Sequence, residues 1–106
     1  MPLYLWKVSY TPDGTKGLTK DGGSKRRDFV KGMVEKLGGK LHSFYYALGD
    51  ADVVGIAEFT DQATAMAMSM AVNASGAARL QSTVLVTPEE MDAATKKQVG
   101  YRPPGT

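Results

Sequence analysis

Between Leu3 and Tyr10 bulky residues fill both alternating sets, Tyr4, Trp6, Val8 and Tyr10 on one side and Leu3, Leu5, Lys7 and Ser9 on the other. This period of two predicts a strand with apolar residues on both faces. Thr11-Pro12-Asp13-Gly14 reads as a turn, with Pro presetting φ, and a loop of about a dozen residues is expected from there to Gly22-Gly23. From Ser24 to Leu37 the period lengthens to that of a helix. Val30, Met33, Val34 and Leu37 recur on one face, Gly38-Gly39 supplies a left-handed stop, and Ser24 or Asp21 stands where a cap is needed.

Two apolar runs follow, Leu41 to Leu48 and Val53 to Phe59, joined by Gly49-Asp50-Ala51-Asp52. Their aromatic and β-branched content, bounded by Gly and Asp, predicts a central hairpin. An even loop turns His42, Phe44 and Tyr46 towards the helices, whereas a bulge turns them to the other side. Thr60-Asp61 opens a second helix from Gln62 to about Ala74, with Ala63, Met66, Ala67, Met70 and Ala74 as its expected buried face. Arg79 to Val86 is a fourth strand by composition. Thr87-Pro88-Glu89-Glu90 is a capping box with Pro at the first helical position, and Val86 and Met91 occupy the staple positions. A short helix is expected from Pro88 to about Gln98, with an extended tail from about residue 99.

The order β-α-β-β-α-β plus a terminal helix is the split βαβ pattern of ferredoxin-like α+β folds, a four-stranded antiparallel sheet with its helices on one face. The other face is left bare. The alternation assigns it Leu3, Leu5 and Lys7, then Val54, Ile56 and Glu58, then Arg79, Gln81, Thr83 and Leu85. So much aliphatic surface calls for a second copy to cover it, and Lys7 and Glu58 are expected to meet there.

At 106 residues the chain fits one domain, 1–106. It has no cysteine, which excludes disulfides, thiolate metal sites and cysteine nucleophiles. No apolar run approaches the roughly 20 residues that span a bilayer, so a cytoplasmic protein without membrane contact is expected. The net charge of +2 conceals an asymmetry: Lys16 to Lys40 holds eight basic residues against three acids. No nucleic-acid reading module accompanies that excess, and a solvated face is the expectation rather than a nucleic-acid surface.

The segments Ser9-Tyr10-Thr11-Pro12-Asp13-Gly14, Gly22-Gly23-Ser24-x-Arg26-Arg27, Leu37-Gly38-Gly39-Lys40-Leu41, Phe44-Tyr45-Tyr46-Ala47-Leu48-Gly49 and Val72-Asn73-Ala74-Ser75-Gly76 together resemble the GYD-domain family of small bacterial proteins. The family's turn usually reads Gly-Asp-Tyr-Asp; here Gly49, Asp50 and Asp52 match and Ala51 stands in place of the Tyr. The resemblance covers nearly the whole chain. It implies a ferredoxin-like subunit of the dimeric α+β barrel type and brings no activity with it.

Candidate chemistry is sparse. His42 is the only histidine and Glu58 the only acid within a strand, so with Tyr46 they are the candidates for acid–base catalysis. A surface or structural role for His42 stands beside that reading. Asp50 and Asp52 fit turn chemistry, the methionines lack the His or Cys of a soft-metal site, and neither a metal nor a cofactor is expected. Lys25, Arg26 and Arg27 crowd a helix amino terminus where acids belong. A bound carboxylate or phosphate held by Ser24, Arg26 and Arg27 would relieve the conflict, and so would pairing with Asp21 or Asp28. Lys7 and Arg79 are further candidates for holding a small anion. Two readings follow: a homo-oligomeric module, a dimer or larger, that binds a small molecule or supports a partner; or a small cofactor-independent enzyme of monooxygenase or isomerase type. They differ in whether His42, a Tyr of the second strand and Glu58 or Arg79 converge in one pocket.

Overall fold

The computed structural model describes residues 1–106. Four strands, β1 (Leu3–Tyr10), β2 (Lys40–Tyr46), β3 (Val53–Glu58) and β4 (Ala78–Leu85), form one antiparallel sheet in the order β2-β3-β1-β4. α1 (Pro12–Asp21) and α2 (Gly23–Lys36) join β1 to β2, α3 (Gln62–Ala74) joins β3 to β4, and α4 (Pro88–Thr95) follows the sheet. The α+β, ferredoxin-like arrangement read from the pattern is the one observed.

The core lies between sheet and helices. Tyr4 and Trp6 of β1, Ala57 of β3 and Leu80 of β4 point into it beside Phe59, meeting Val30 and Val34 of α2 and Ala65 and Met68 of α3. Phe59 sits between the rings of Tyr4 and Trp6, 6.0 Å from each. β1 and β3 are the inner strands and pair on both sides; in β1 one alternating set, with Tyr4 and Trp6, faces the helices and the other, with Leu3 and Leu5, the opposite face.

Three expectations change. The segment after β1 is a helix, not a loop. Thr11 caps it by accepting from the Gly14 amide, Pro12 and Asp13 occupy its first turn, and the Thr11 hydroxyl donates to Gly76 O at 2.9 Å, anchoring its start to the chain entering β4. Its apolar content is too low for periodicity to reveal it, and none of its residues is buried. Second, α2 has no side-chain cap: Gly22, at φ 85°, both ends α1 and starts α2, so neither Ser24 nor Asp21 has that role. Leu37 is the residue that ends α2 and is 43% exposed, while Gly38 takes the left-handed conformation expected of it.

Third, α3 buries Ala65 and Met68, with Val72 half-buried, whereas Met66 and Met70 are 62% and 68% exposed and Ala63, Ala67 and Ala74 are exposed too. Alanine and methionine surround this helix on every side, so periodicity could not choose the face. Its start is defined instead by Asp61, whose carboxylate accepts from the Thr64 amide at 2.7 Å. That bond holds the Asp61 carboxyl below its ordinary range. The stabilisation is therefore present above the unfolded-state pKa and disappears as pH falls through the folded one. Asp61→Ala is expected to lower the melting temperature at neutral pH and to lose that difference in acid. An equal deficit at both pH values, followed by circular dichroism, would show that the carboxylate is not the cause.

The capping box at Thr87 forms in both directions, Glu90 N to Thr87 Oγ1 and Thr87 N to Glu90 Oε1 at 3.1 Å each. α4 ends at Thr95, sooner than expected. Val86 and Met91 are both over half exposed, so a staple there covers little. Every residue from Val86 to Thr106 is exposed. This arm lengthens the molecule to 58 Å and raises the radius of gyration to 17.1 Å, where about 13 Å is usual for a chain of this size.

Candidate functional site

Strand register decides which candidates can meet. On β1, Leu3, Leu5, Lys7 and Ser9 lie opposite Leu85, Thr83, Gln81 and Arg79 of β4, while Leu3, Leu5 and Lys7 also lie opposite Glu58, Ile56 and Val54 of β3. These residues share the face that no helix covers, as the alternation predicts.

Lys7 and Glu58 do not pair. Four residues separate their places along the strands, about 13 Å at the rise of a β-strand. Lys7 instead reaches Asp50 in the hairpin loop, Nζ to Oδ2 at 3.4 Å, and Glu58 reaches His42, Oε1 to Nε2 at 2.8 Å. Around Lys7 and Asp50, with Ser9, Ala51, Arg79 and Gln81, lies a shallow polar hollow of about 350 Å³. Asp52 is structural: it accepts from the Tyr10 amide at 2.8 Å, and its own amide donates to Val8 O at 2.8 Å.

An even loop and a bulge put His42 on opposite faces, and the structure contains both. Tyr46 pairs with Val53 and Phe44 with Gly55 across an even loop, so Phe44 and Tyr46 face the helices. The pairing then slips between Leu41 and Ser43, leaving His42 as the extra residue and letting it reach Glu58 on the open face. His42 and Glu58 thus meet each other while Tyr46 lies on the opposite side of the sheet, and Arg79 sits at the far end of the open face. One chain contains no pocket that gathers all of them.

On the helix side a different set converges. The carboxyl end of α1 abuts the amino end of α2 at Gly22, which places the negative pole of one helix beside the basic first turn of the next. Neighbouring acids take up two of the charges: Arg27 pairs with Asp28 at 3.0 Å and Lys25 with Asp21 at 4.0 Å. Ser24 is exposed. Arg26 behaves differently. It turns inward over the Phe29 ring, 5.0 Å from its centroid, and is half-buried with no carboxylate within ion-pair distance.

Arg26 lines a groove of about 320 Å³ between α1, α2 and α3 whose walls include Tyr10, Leu18, Phe29 and Val72. Beneath it lies an apolar chamber of about 50 Å³ floored by Trp6, Val8 and Phe44. Both spaces share Tyr10, Arg26, Met33, Met68, Val72 and Ala78, so they are adjacent and have these side chains as common walls. Tyr46 closes the neighbouring corner, its hydroxyl donating to Gly23 O at 3.0 Å and its ring edge-on to Phe44 at 5.5 Å. Burial pushes the Tyr10 phenol above its ordinary range, the nearby Tyr46 adds to this, and Arg26 opposes it; Tyr46 is raised by burial against the pull of Arg26 and Arg27. Both therefore remain hydroxyl donors at neutral pH.

Tyr10 and Phe29 were not singled out from the sequence. The available signal was that Tyr10 and Tyr46, at the ends of β1 and β2, both belong to the alternating set that faces the helices.

The family model described as the GYD domain matches residues 4–95. Comparison with curated proteins and with solved structures found no match.

Proposed function

We propose that this chain, which belongs to the GYD-domain family, works as a homo-oligomeric binding module in which two copies cover one another's open sheet face. The observation that carries the reading is the register that gathers Leu3, Leu5, Val54, Ile56 and Leu85 on a face with no helix over it. A single antiparallel sheet can leave one side to water when that side is polar, but this side is aliphatic along its middle. Its charged groups sit at the margins, with Lys7 and Asp50 at one end and His42 and Glu58 at the other, while Thr83 and Ser43 flank the aliphatic middle. That is the apolar centre and polar rim of an interface. The arm from Val86 onward, with Val86, Met91, Val99 and Tyr101 exposed, adds surface for which the chain itself offers no cover.

The binding role is favoured over catalysis by the same geometry. His42, Tyr46, Glu58 and Arg79 are distributed over two faces, whereas acid–base chemistry needs its groups within hydrogen-bond reach of one reacting atom. Native mass spectrometry at micromolar concentration tests the assembly. A species of twice the chain mass, or a larger even multiple, is expected; a monomer throughout would refute it.

A further inference from the structure

We infer that the groove beneath α1 and α2 is a binding site for a small amphipathic monoanion, an apolar body bearing one carboxylate, with the carboxylate on Arg26 and Tyr10 and the apolar body in the chamber behind. The proposal deepens the binding-module reading by naming a site and a ligand class, and it uses the side of the sheet that assembly would leave free.

Two cations in this chain are half-buried, Lys7 and Arg26, and only Lys7 has a carboxylate partner. A guanidinium drawn out of water without a counter-charge is unfavourable unless something supplies acceptors. The guanidinium of Arg26 stacks on Phe29, and Arg26 and Tyr10 interact with each other where both line the groove. Tyr10 adds a protonated hydroxyl on the same wall.

The rest of the site selects the size and charge of the occupant. Asp13 and Asp21 also line the groove. Asp21 is matched by Lys25, and Asp13 lies in the first turn of α1 where the helix end offsets its charge. Both charges are only partly offset, since the Lys25–Asp21 pair is long and exposed, so the one inward cation, Arg26, balances a single carboxylate while a dianion such as phosphate meets net repulsion. At about 320 Å³ the groove lies at the lower end of the roughly 300–1,000 Å³ typical of ligand pockets. Met33 and Met68 stand between groove and chamber, and their flexible side chains can shift to admit an apolar tail. Gly17 lines the groove, and a Cβ there would meet nothing within 4 Å, so the wall is left open at that point.

Octanoate is a suitable probe, and the single tryptophan, Trp6, reports from the chamber. Titration of the intact protein, followed by Trp6 fluorescence and isothermal calorimetry, is expected to saturate with Kd of about 0.1–1 mM for a ligand of this size. Octanamide, isosteric and uncharged, should bind about tenfold more weakly, and Arg26→Ala should weaken octanoate by about tenfold while leaving octanamide unchanged. Arg27→Ala, which removes a charge paired outside the groove, should leave octanoate binding intact. Gly17→Leu, a favourable change within a helix, should block both ligands with the fold preserved by circular dichroism. Equal binding of acid and amide, equal losses for Arg26→Ala and Arg27→Ala, no saturation, or displacement of octanoate by inorganic phosphate at equal concentration would each overturn the proposal. A monomer that still binds octanoate would remove the assembly and keep the site; a dimer blind to octanoate would do the reverse.

Discussion

Replacing Phe59 with alanine should destabilise the fold by about 3–5 kcal/mol, the range for removing a fully buried aromatic ring. Phe59 is 0% exposed and bridges Tyr4 and Trp6, so its loss opens the core where the central strand meets the helices. The backbone around it is fixed: its amide donates to Pro2 O at 3.2 Å, and Gly39 approaches Glu58 O so closely that a Cβ there would lie 2.4 Å from it. Little collapse can fill the space. Since a domain of this size has only about 5–15 kcal/mol of stability, the variant should be largely unfolded at 37 °C or melt far below the parent. Leu48→Ala is the control, because Leu48 is fully exposed and its truncation should change stability by less than about 0.5 kcal/mol. Urea denaturation of both decides the matter, and a loss under 1.5 kcal/mol for Phe59→Ala, well below the range of about 3–5, would mean that the core relaxes around the gap.

If two copies pair through the open sheet face as proposed, Ile56→Lys should leave the chain monomeric without unfolding it. Ile56 sits in the middle of the open face, between Leu5 of β1 and Ser43 of β2. In a free chain a lysine there can lie along the aliphatic surface and carry its ammonium to water, so the fold is retained. Against a second copy the same ammonium is buried without a partner, at a cost of several kcal/mol, enough to shift a micromolar dimer to millimolar. The expected result on size-exclusion chromatography with light scattering is a single peak at the chain mass, with far-ultraviolet circular dichroism unchanged. If the variant elutes with the parent as a dimer, the interface lies elsewhere, and the exposed arm from Val86 becomes the surface to alter next.

The structure also shows how unevenly local signals reported on the fold. Thr11-Pro12-Asp13 is the same cap, proline and acid sequence as Thr87-Pro88-Glu89, yet only the second is followed by a reciprocal Glu, and only there did the pattern indicate a helix. α1 carries about three turns of mostly polar and glycine residues; it is held by the Thr11 hydroxyl on Gly76, a contact remote in sequence, and by its packing against the neighbouring β1 and α2. Met66 and Met70 share the helical spacing of Ala63, Ala67 and Ala74, which is why the pattern favours them as a buried face. The choice between them and Met68 depended on the direction from which α3 approaches the sheet.

What the sequence determined by itself is the set of strands, the facing of the residues of β1, β3 and β4 and the stop at Gly38, because these rest on a period of two and on dihedral preferences that neighbouring residues impose on one another. Tertiary structure decided which charges meet. Lys7 found Asp50 and His42 found Glu58 because sheet register and a one-residue slip in β2 set those distances. Arg26 became the inward cation, and Arg27 the outward one, because α1 packs over the start of α2 and encloses the groove on one side only. A side chain's partner across the fold is fixed by the summed geometry of several elements, and no local stretch of sequence contains that sum.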